Sequence, residues 1–149
     1  MPAFKRPESV LVVVHTADGL VLMLERVSPP RFWQSVTGSL EPDESFEAAA
    51  RRELTEETGL TDSAGLVALH LPQRFRIASP GRKRVAPGVT HNLERAIALA
   101  VPTAFEPALD PSEHRRYLWL PTREAVARAS SWTNRKAIER IFPARAREA

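Results

Sequence analysis

Short β-branched strands on either side of one long helix, with more helix towards the C-terminal end, predict a mixed α/β layer fold. Three observations carry that expectation. Residues 9–15 (SVLVVVH) and 19–26 (GLVLMLER) are apolar runs joined by Thr16-Ala17-Asp18-Gly19, whose turn chemistry makes the pair a hairpin. From Glu44 to Thr58 no proline or glycine interrupts a run of helix formers, and Gly59 stops it. The composition, 43% hydrophobic and 26% charged over 149 residues, is that of an ordinary globular domain and argues against wholesale disorder. A single domain over 1–149 is expected.

The remaining elements follow in order. Residues 28–32 hold two prolines and read as a loop. Residues 33–37 read as a short strand that Gly38 breaks, and 66–71 as another strand. Residues 72–88 are expected to form a long loop carrying Arg74, Arg76, Arg82, Lys83 and Arg84, a length that usually marks function or mobility. Residues 93–101 are apolar enough for a core strand, 102–111 make a connector and 116–120 a further strand. Two helices are expected at 122–129 and 133–142, the second with Ala137, Ile138, Ile141 and Phe142 on one face.

Several classes are excluded. No apolar run approaches the ~18–20 residues that span a bilayer, and Pro7 and Glu8 separate the N-terminal cations from a short apolar run, unlike a signal peptide. A cytoplasmic protein without a membrane partner is expected. Cysteine is absent, so disulfides and thiolate metal sites are excluded and any metal is held by oxygen or imidazole. The net charge is only +3, from 21 basic and 18 acidic residues. The cations do not line one predicted helix or strand, so a nucleic-acid partner is not expected. Monomer and small homo-oligomer both remain open.

The central helix carries the chemistry. At ~100° per residue with Glu53 at zero, Phe46, Ala49 and Ala50 cluster around Glu53, with Glu57 and Glu56 inside or beside the same arc. Glu47, Arg51, Thr55 and Thr58 lie opposite. The helix is therefore expected to turn Glu53, Glu56 and Glu57 towards its packed side. Desolvating even one carboxylate costs several kcal/mol without a cation, and Arg52 offsets one at most. A hard divalent ion, Mg²⁺ or Mn²⁺, is the remaining compensation; a solvated acidic helix end is the competing reading on spacing alone.

The spacing belongs to a longer pattern. Gly38, five residues, Glu44, seven residues, then Arg52-Glu53-Leu54-Thr55-Glu56-Glu57-Thr58-Gly59-Leu60 fill G-x5-E-x7-R-E-U-x-E-E-x-G-U, U being aliphatic, at every defined position. A chance match is on the order of one in ten million at average residue usage. The chain thus resembles the Nudix hydrolases. That resemblance implies an αβα sandwich around a mixed sheet with a loop-helix-loop metal motif, and Mg²⁺- or Mn²⁺-dependent hydrolysis of a nucleoside diphosphate linked to another moiety. It implies metal binding by Glu53, Glu56 and Glu57, with Arg52 orienting a carboxylate, Glu44 supporting the loop, Gly38 allowing a tight turn and Gly59 ending the helix.

Further segments resemble one branch of the family, which acts on dihydroneopterin triphosphate in bacterial folate synthesis and on dATP. They include Lys5-Arg6-Pro7, FWQSVTG at 32–38, Ala86-Pro87-Gly88-Val89-Thr90, Glu113-His114 and SWTNR at 131–135. The branch implies release of dihydroneopterin monophosphate and pyrophosphate. It implies Glu113 as a further metal-binding or base-like carboxylate, and substrate contacts from Lys5, Arg26, Thr37, His114 and Ser131. With a gap, Phe75, Arg76, Ile77 and Ala78 align to another substrate-binding stretch. Two departures stand out: Pro42-Asp43 where a glycine is common, and Arg95-Ala96 where the branch tends to have aromatics, which is expected to alter the pocket wall. Trp33 and Trp132 are read as core in preference to stacking on a heterocycle, and both are left out of the site. A general (deoxy)nucleoside triphosphate pyrophosphohydrolase and a non-catalytic nucleotide-binding domain are the alternatives.

Overall fold

The structure, a computed structural model, describes residues 4–147. Strand β1 (Glu8–Thr16) serves two cores at once. Val10, Val12 and Val14 point to one face of the sheet and Leu11 and Val13 to the other, none more than 2% exposed. A strand covered on both faces reads as an unbroken apolar run, as this one does. Around it lie β2 (Leu20–Arg26), β3 (Trp33–Gln34), β4 (Val36–Ser39), β5 (Leu66–Arg76), β6 (His91–Val101) and β7 (His114–Pro121). The sheet has the order β3-β2-β1-β6-β5, with β4 also on β1 and β7 also on β2. Only β1 and β6 run parallel, so the sheet is mixed.

Helix α1 (Phe46–Thr58) covers one face, burying Ala49, Ala50 and Leu54 against Val10, Val12, Val14, Leu22 and Leu24. Helices α3 (Thr122–Arg128) and α4 (Trp132–Ile141) cover the other through Ala125, Ala137 and Ile138. The short helices α2 (Ser79–Arg82) and α5 (Pro143–Arg147) complete the chain. This is the three-layer sandwich expected. Among the described residues no helix is long and apolar enough to cross a membrane.

Four local expectations need correction. The strand expected over 33–37 is two strands, because the Ser35 amide leaves the sheet to donate to Asn134 Oδ1 (2.7 Å). Gly38 does not break a strand; it lies within β4, paired to Val10. The loop expected over 72–88 begins later, since Pro72 to Arg76 continue β5 along β6. The register shifts between Ala68 and Pro72, where His70 takes φ 53°. A proline without a ladder donor is tolerated because β5 is an edge strand. Finally, α2, inside the expected loop, and α5 have no counterpart among the expected elements.

One feature of the topology makes the site. β1 and β2 share only the His15–Val21 pairing and then diverge, and β4 fills the opening along Ser9 to Val12. The segment just before α1 is thereby set into the middle of the sheet, directly beneath that helix.

Candidate active site

Ser45 caps α1 by accepting from the Ala48 amide (3.1 Å), and Gly59 ends it at φ 80°, donating to Thr55 O (2.9 Å). Glu44 therefore precedes the helix rather than opening it. Along α1 the buried residues are Ala49, Ala50, Glu53, Leu54, Glu57 and Thr58. Glu53 and Glu57 face inward, but Glu56 is exposed, which corrects the expectation of three inward carboxylates. Leu54, at about 100° on the wheel, pulls the buried arc away from Glu56 and brings Thr58 in, where its hydroxyl donates to Leu54 O (2.6 Å).

Gly38 is needed for space, not for a turn. A β-carbon there would fall inside the Glu53 carboxylate, which lies flat on the β4 backbone. Arg52 holds that carboxylate from the side, donating to Glu53 Oε1 (2.7 Å) while gripping Glu44 through two bonds (2.8 and 2.9 Å) and reaching Ser39 O (3.0 Å). Its contact with Glu56 is longer, 3.4 Å. Glu44 also accepts from the Glu41 amide (2.9 Å), and Arg6 donates to the carbonyls of Glu41 and Glu44 (both 2.9 Å). The guanidinium of Arg52 holds the Glu44 carboxyl down at about 2. This contribution to stability is complete above the usual carboxylate range and is lost as pH falls towards 2.

Lysine at position 52 supplies a point charge but not the planar fork that serves three elements. R52K is expected to lose at least tenfold in kcat/KM and about 1.5–3 kcal/mol of stability, the range for hydrogen bonds to charged groups. Urea unfolding and steady-state kinetics check this; unchanged values for both would remove the bracing role.

Glu57 is the most unusual group in the molecule. It is 1% exposed, and neither carboxylate oxygen has a hydrogen-bond partner. Burial, reinforced by the adjacent Glu53 and then by Glu113, pushes its carboxyl up to about 10. His114 Nε2 stands 3.7 Å from Glu57 Oε1, but burial pushes the imidazole down to about 4, so it offers no charge. Glu113 lies in the turn before β7, its carbonyl accepting from the Val27 amide (2.8 Å), and burial followed by the Glu53 charge raises its carboxyl.

Among the described residues no three such groups already converge as a finished metal cage. The donor set nevertheless fits a hard divalent cation. Glu53 and Glu57 form a mutually repelling pair, Glu113 acts electrostatically on both, and two buried oxygens on Glu57 lack any partner. Glu56 stands at the solvent rim of this group.

Two cavities sharing Thr37, Phe75 and Glu94 lead away from it. The first, about 300 Å³, is cationic at its mouth, with Lys5, Arg26 and Arg84 on its wall beside Gly38 and Ile77. Burial followed by Arg84 lowers the Lys5 ammonium, with Glu53 opposing. The second, about 430 Å³, is lined by Phe32, Gln34, Arg76, Ser131, Trp132 and Asn134 among others. Lys5, Arg26, Thr37, Phe75, Arg76, Ile77 and Ser131 thus meet along one cleft. Ala78 and His114 do not line it: Ala78 is the extended residue just before α2, and His114 is buried behind Glu57, bonded to Gln34 Nε2 (3.1 Å). Ser131 also caps α4, accepting from the Asn134 amide (3.2 Å).

Residues 5–141 match the NUDIX domain family. The chain belongs to the NUDIX family. It is 45% identical over 142 residues to the dihydroneopterin triphosphate diphosphatase of Escherichia coli, covering 93% of each chain. To the enzyme of that name from Haemophilus influenzae it is 40% identical over 146 residues, covering 95% of this chain and 91% of that one. The solved structure of the E. coli dihydroneopterin triphosphate pyrophosphohydrolase superposes with a TM-score of 0.86 at 42% identity, covering 95% of this chain and 99% of the other.

Within this NUDIX domain the two departures have different outcomes. Asp43 adopts φ 62°, the left-handed conformation that a glycine would enter freely and aspartate tolerates. Arg95 and Ala96 do not shape the cleft. Strand alternation sends Arg95 over the Phe46 ring on the α1 face (4.4 Å) and Ala96 into the α3/α4 core. Trp33 is core as expected, but Trp132 is not: it is 47% exposed and lines the second cavity. Its place at the first position of α4, after a capping serine, was the available signal. Glu94, also missed, carries no local motif, whereas Arg84 lies in the cationic segment expected to form a functional or mobile loop.

Proposed function

We propose that this NUDIX hydrolase converts dihydroneopterin triphosphate and water to dihydroneopterin monophosphate and pyrophosphate. The observation that carries this reading is the unpartnered Glu57 carboxyl beside Glu53, whose carboxylate packs on Gly38 in the wall of a cleft that is cationic first and then walled by aromatic and hydrogen-bonding groups. The names of the relatives at 45% and 40% identity support it. Glu53, Glu57 and Glu113, with Glu56 at the rim, would hold Mg²⁺ or Mn²⁺, whose chemistry is to neutralise diphosphate oxygens and lower the pKa of water.

The chain's own residues do the rest. Lys5, Arg26 and Arg84 oppose the charge of the triphosphate, which otherwise repels an anionic nucleophile. Thr37, whose hydroxyl is bonded to Val10 O (2.8 Å), fixes the wall between phosphate and ring. Phe75, Arg76 and Ser131 border the ring, and Ile77 closes the phosphate side. His114, neutral and buried, positions Glu57 and Gln34. Gly38, Glu44, Arg52 and Gly59 hold the loop-helix-loop in shape. The two cores on one sheet support a single domain over 1–149, and Lys5, Arg26 and Arg84 on one cleft wall accord with a small phosphorylated substrate.

The test is kcat/KM with Mg²⁺ for dihydroneopterin triphosphate beside dATP, dGTP and diadenosine tetraphosphate, with the released phosphate species identified. A clear preference for the pterin with pyrophosphate release is expected. Equal or faster turnover of deoxynucleotides would keep the hydrolysis and discard the substrate.

A further inference from the structure

Glu94 is a second buried carboxyl without adequate partners, at the boundary of both cavities rather than among the metal-site glutamates. It is 5% exposed, and its Oε1 meets no donor. Its neighbours in the sheet make their hydrogen bonds to other groups, and neither donates to it. Ser9, opposite it on β1, already accepts from Asn92 Nδ2 (2.7 Å), and Gln73, opposite it on β5, donates to Thr133 O (3.0 Å). Thr133 alone tempers the effect of burial, which raises the carboxyl above its usual range. An unsatisfied buried acceptor of this kind is destabilising, so its presence at a cavity wall points to a ligand that supplies the donors.

Resting on the proposed substrate class, we infer that Glu94 is the specificity-determining residue of this cleft, accepting paired N–H groups from the 2-amino-4-oxopyrimidine edge of the substrate ring. That edge presents a ring N–H beside an exocyclic amino group, two donors at the spacing of two carboxylate oxygens. Both donors stabilise the ionised form against burial. Guanine presents the same edge. Adenine presents one amino donor beside an unprotonated ring nitrogen, which sets acceptor against acceptor. Glutamine at position 94 reverses the preference, because it offers one acceptor and one donor, the complement of adenine.

The experiment compares wild type, E94Q and E94A on dihydroneopterin triphosphate, dGTP and dATP at pH 7.5, roughly the physiological range, with thermal unfolding of each protein. In E94Q the ratios of pterin to dATP and of dGTP to dATP are expected to fall about 10- to 100-fold, the range for one bidentate base contact, chiefly through KM. E94A is expected to lose the ring preference without gaining dATP. Loss of the same size on all three substrates, or unchanged ratios, overturns the assignment and leaves Glu94 a packing residue. The proposed substrate fails separately: wild type would then show no pterin preference, while the dGTP-to-dATP ratio would still move in E94Q.

Discussion

E57Q is expected to lower kcat by 10³-fold or more while leaving the fold intact and the metal-free protein at least as resistant to heat. The two halves of this result have one cause. Glu57 has no hydrogen-bond partner for either oxygen and is 1% exposed, so its carboxylate is intolerable in the metal-free protein. With its carboxyl raised to about 10, the group is protonated at neutral pH. Glutamine matches the shape and neutrality of that acid and adds only one further N–H donor. It cannot become an anionic ligand, so metal affinity and turnover go together.

The sign of the pH dependence follows. Between the usual carboxylate range and about 10, the native metal-free protein holds one proton that the unfolded chain has released. Its stability therefore falls as pH rises through that window, by at most about 1.4 kcal/mol per unit, and E57Q flattens the slope. Metal binding must displace the same proton, so affinity rises with pH and close to one proton is released per ion bound. Titration calorimetry in buffers of different ionisation enthalpy measures that release. Turnover by E57Q at the wild-type rate would sink the assignment of Glu57.

What could be read from the chain divides along physical lines. The hairpin of β1 and β2, the span of α1 and the glutamates of the helix depend on local patterning and a dense motif, and these were legible. The wheel placed Glu53 and Glu57 on the packed side but took Glu56 with them, because an arc drawn through Phe46, Ala49 and Ala50 omitted Leu54. Ser35 explains another miss. Its amide turns to Asn134, 99 positions away, and no local pattern announces a strand broken by a distant side chain. Glu94 is silent in the sequence for the same reason. A glutamate on a core strand acquires meaning only when the neighbours that bond elsewhere, Ser9 and Gln73, are in view.

G38A carries the second large effect, and it separates a site requirement from a backbone one. Gly38 sits in a strand with ordinary dihedral angles; its φ is not positive, so alanine is not penalised there by the backbone. On that ground alone alanine in a strand would be favoured by roughly 0.5–1 kcal/mol. The added methyl instead competes for the volume of the Glu53 carboxylate, which Arg52 pins from one side and Glu57 crowds from within. Either the carboxylate swings out or α1 lifts from β4. A displacement of about 1 Å at a reacting centre costs on the order of 10²-fold in rate, and G38A is expected to lose at least that in kcat/KM with only a small change in Tm. Shortening the acid by one methylene, in the double variant G38A with E53D, is expected to recover part of the loss because the collision is relieved. Full activity in G38A would show that the carboxylate has room to spare; an equal loss in the double variant would place the fault in the strand rather than in the contact between Gly38 and Glu53.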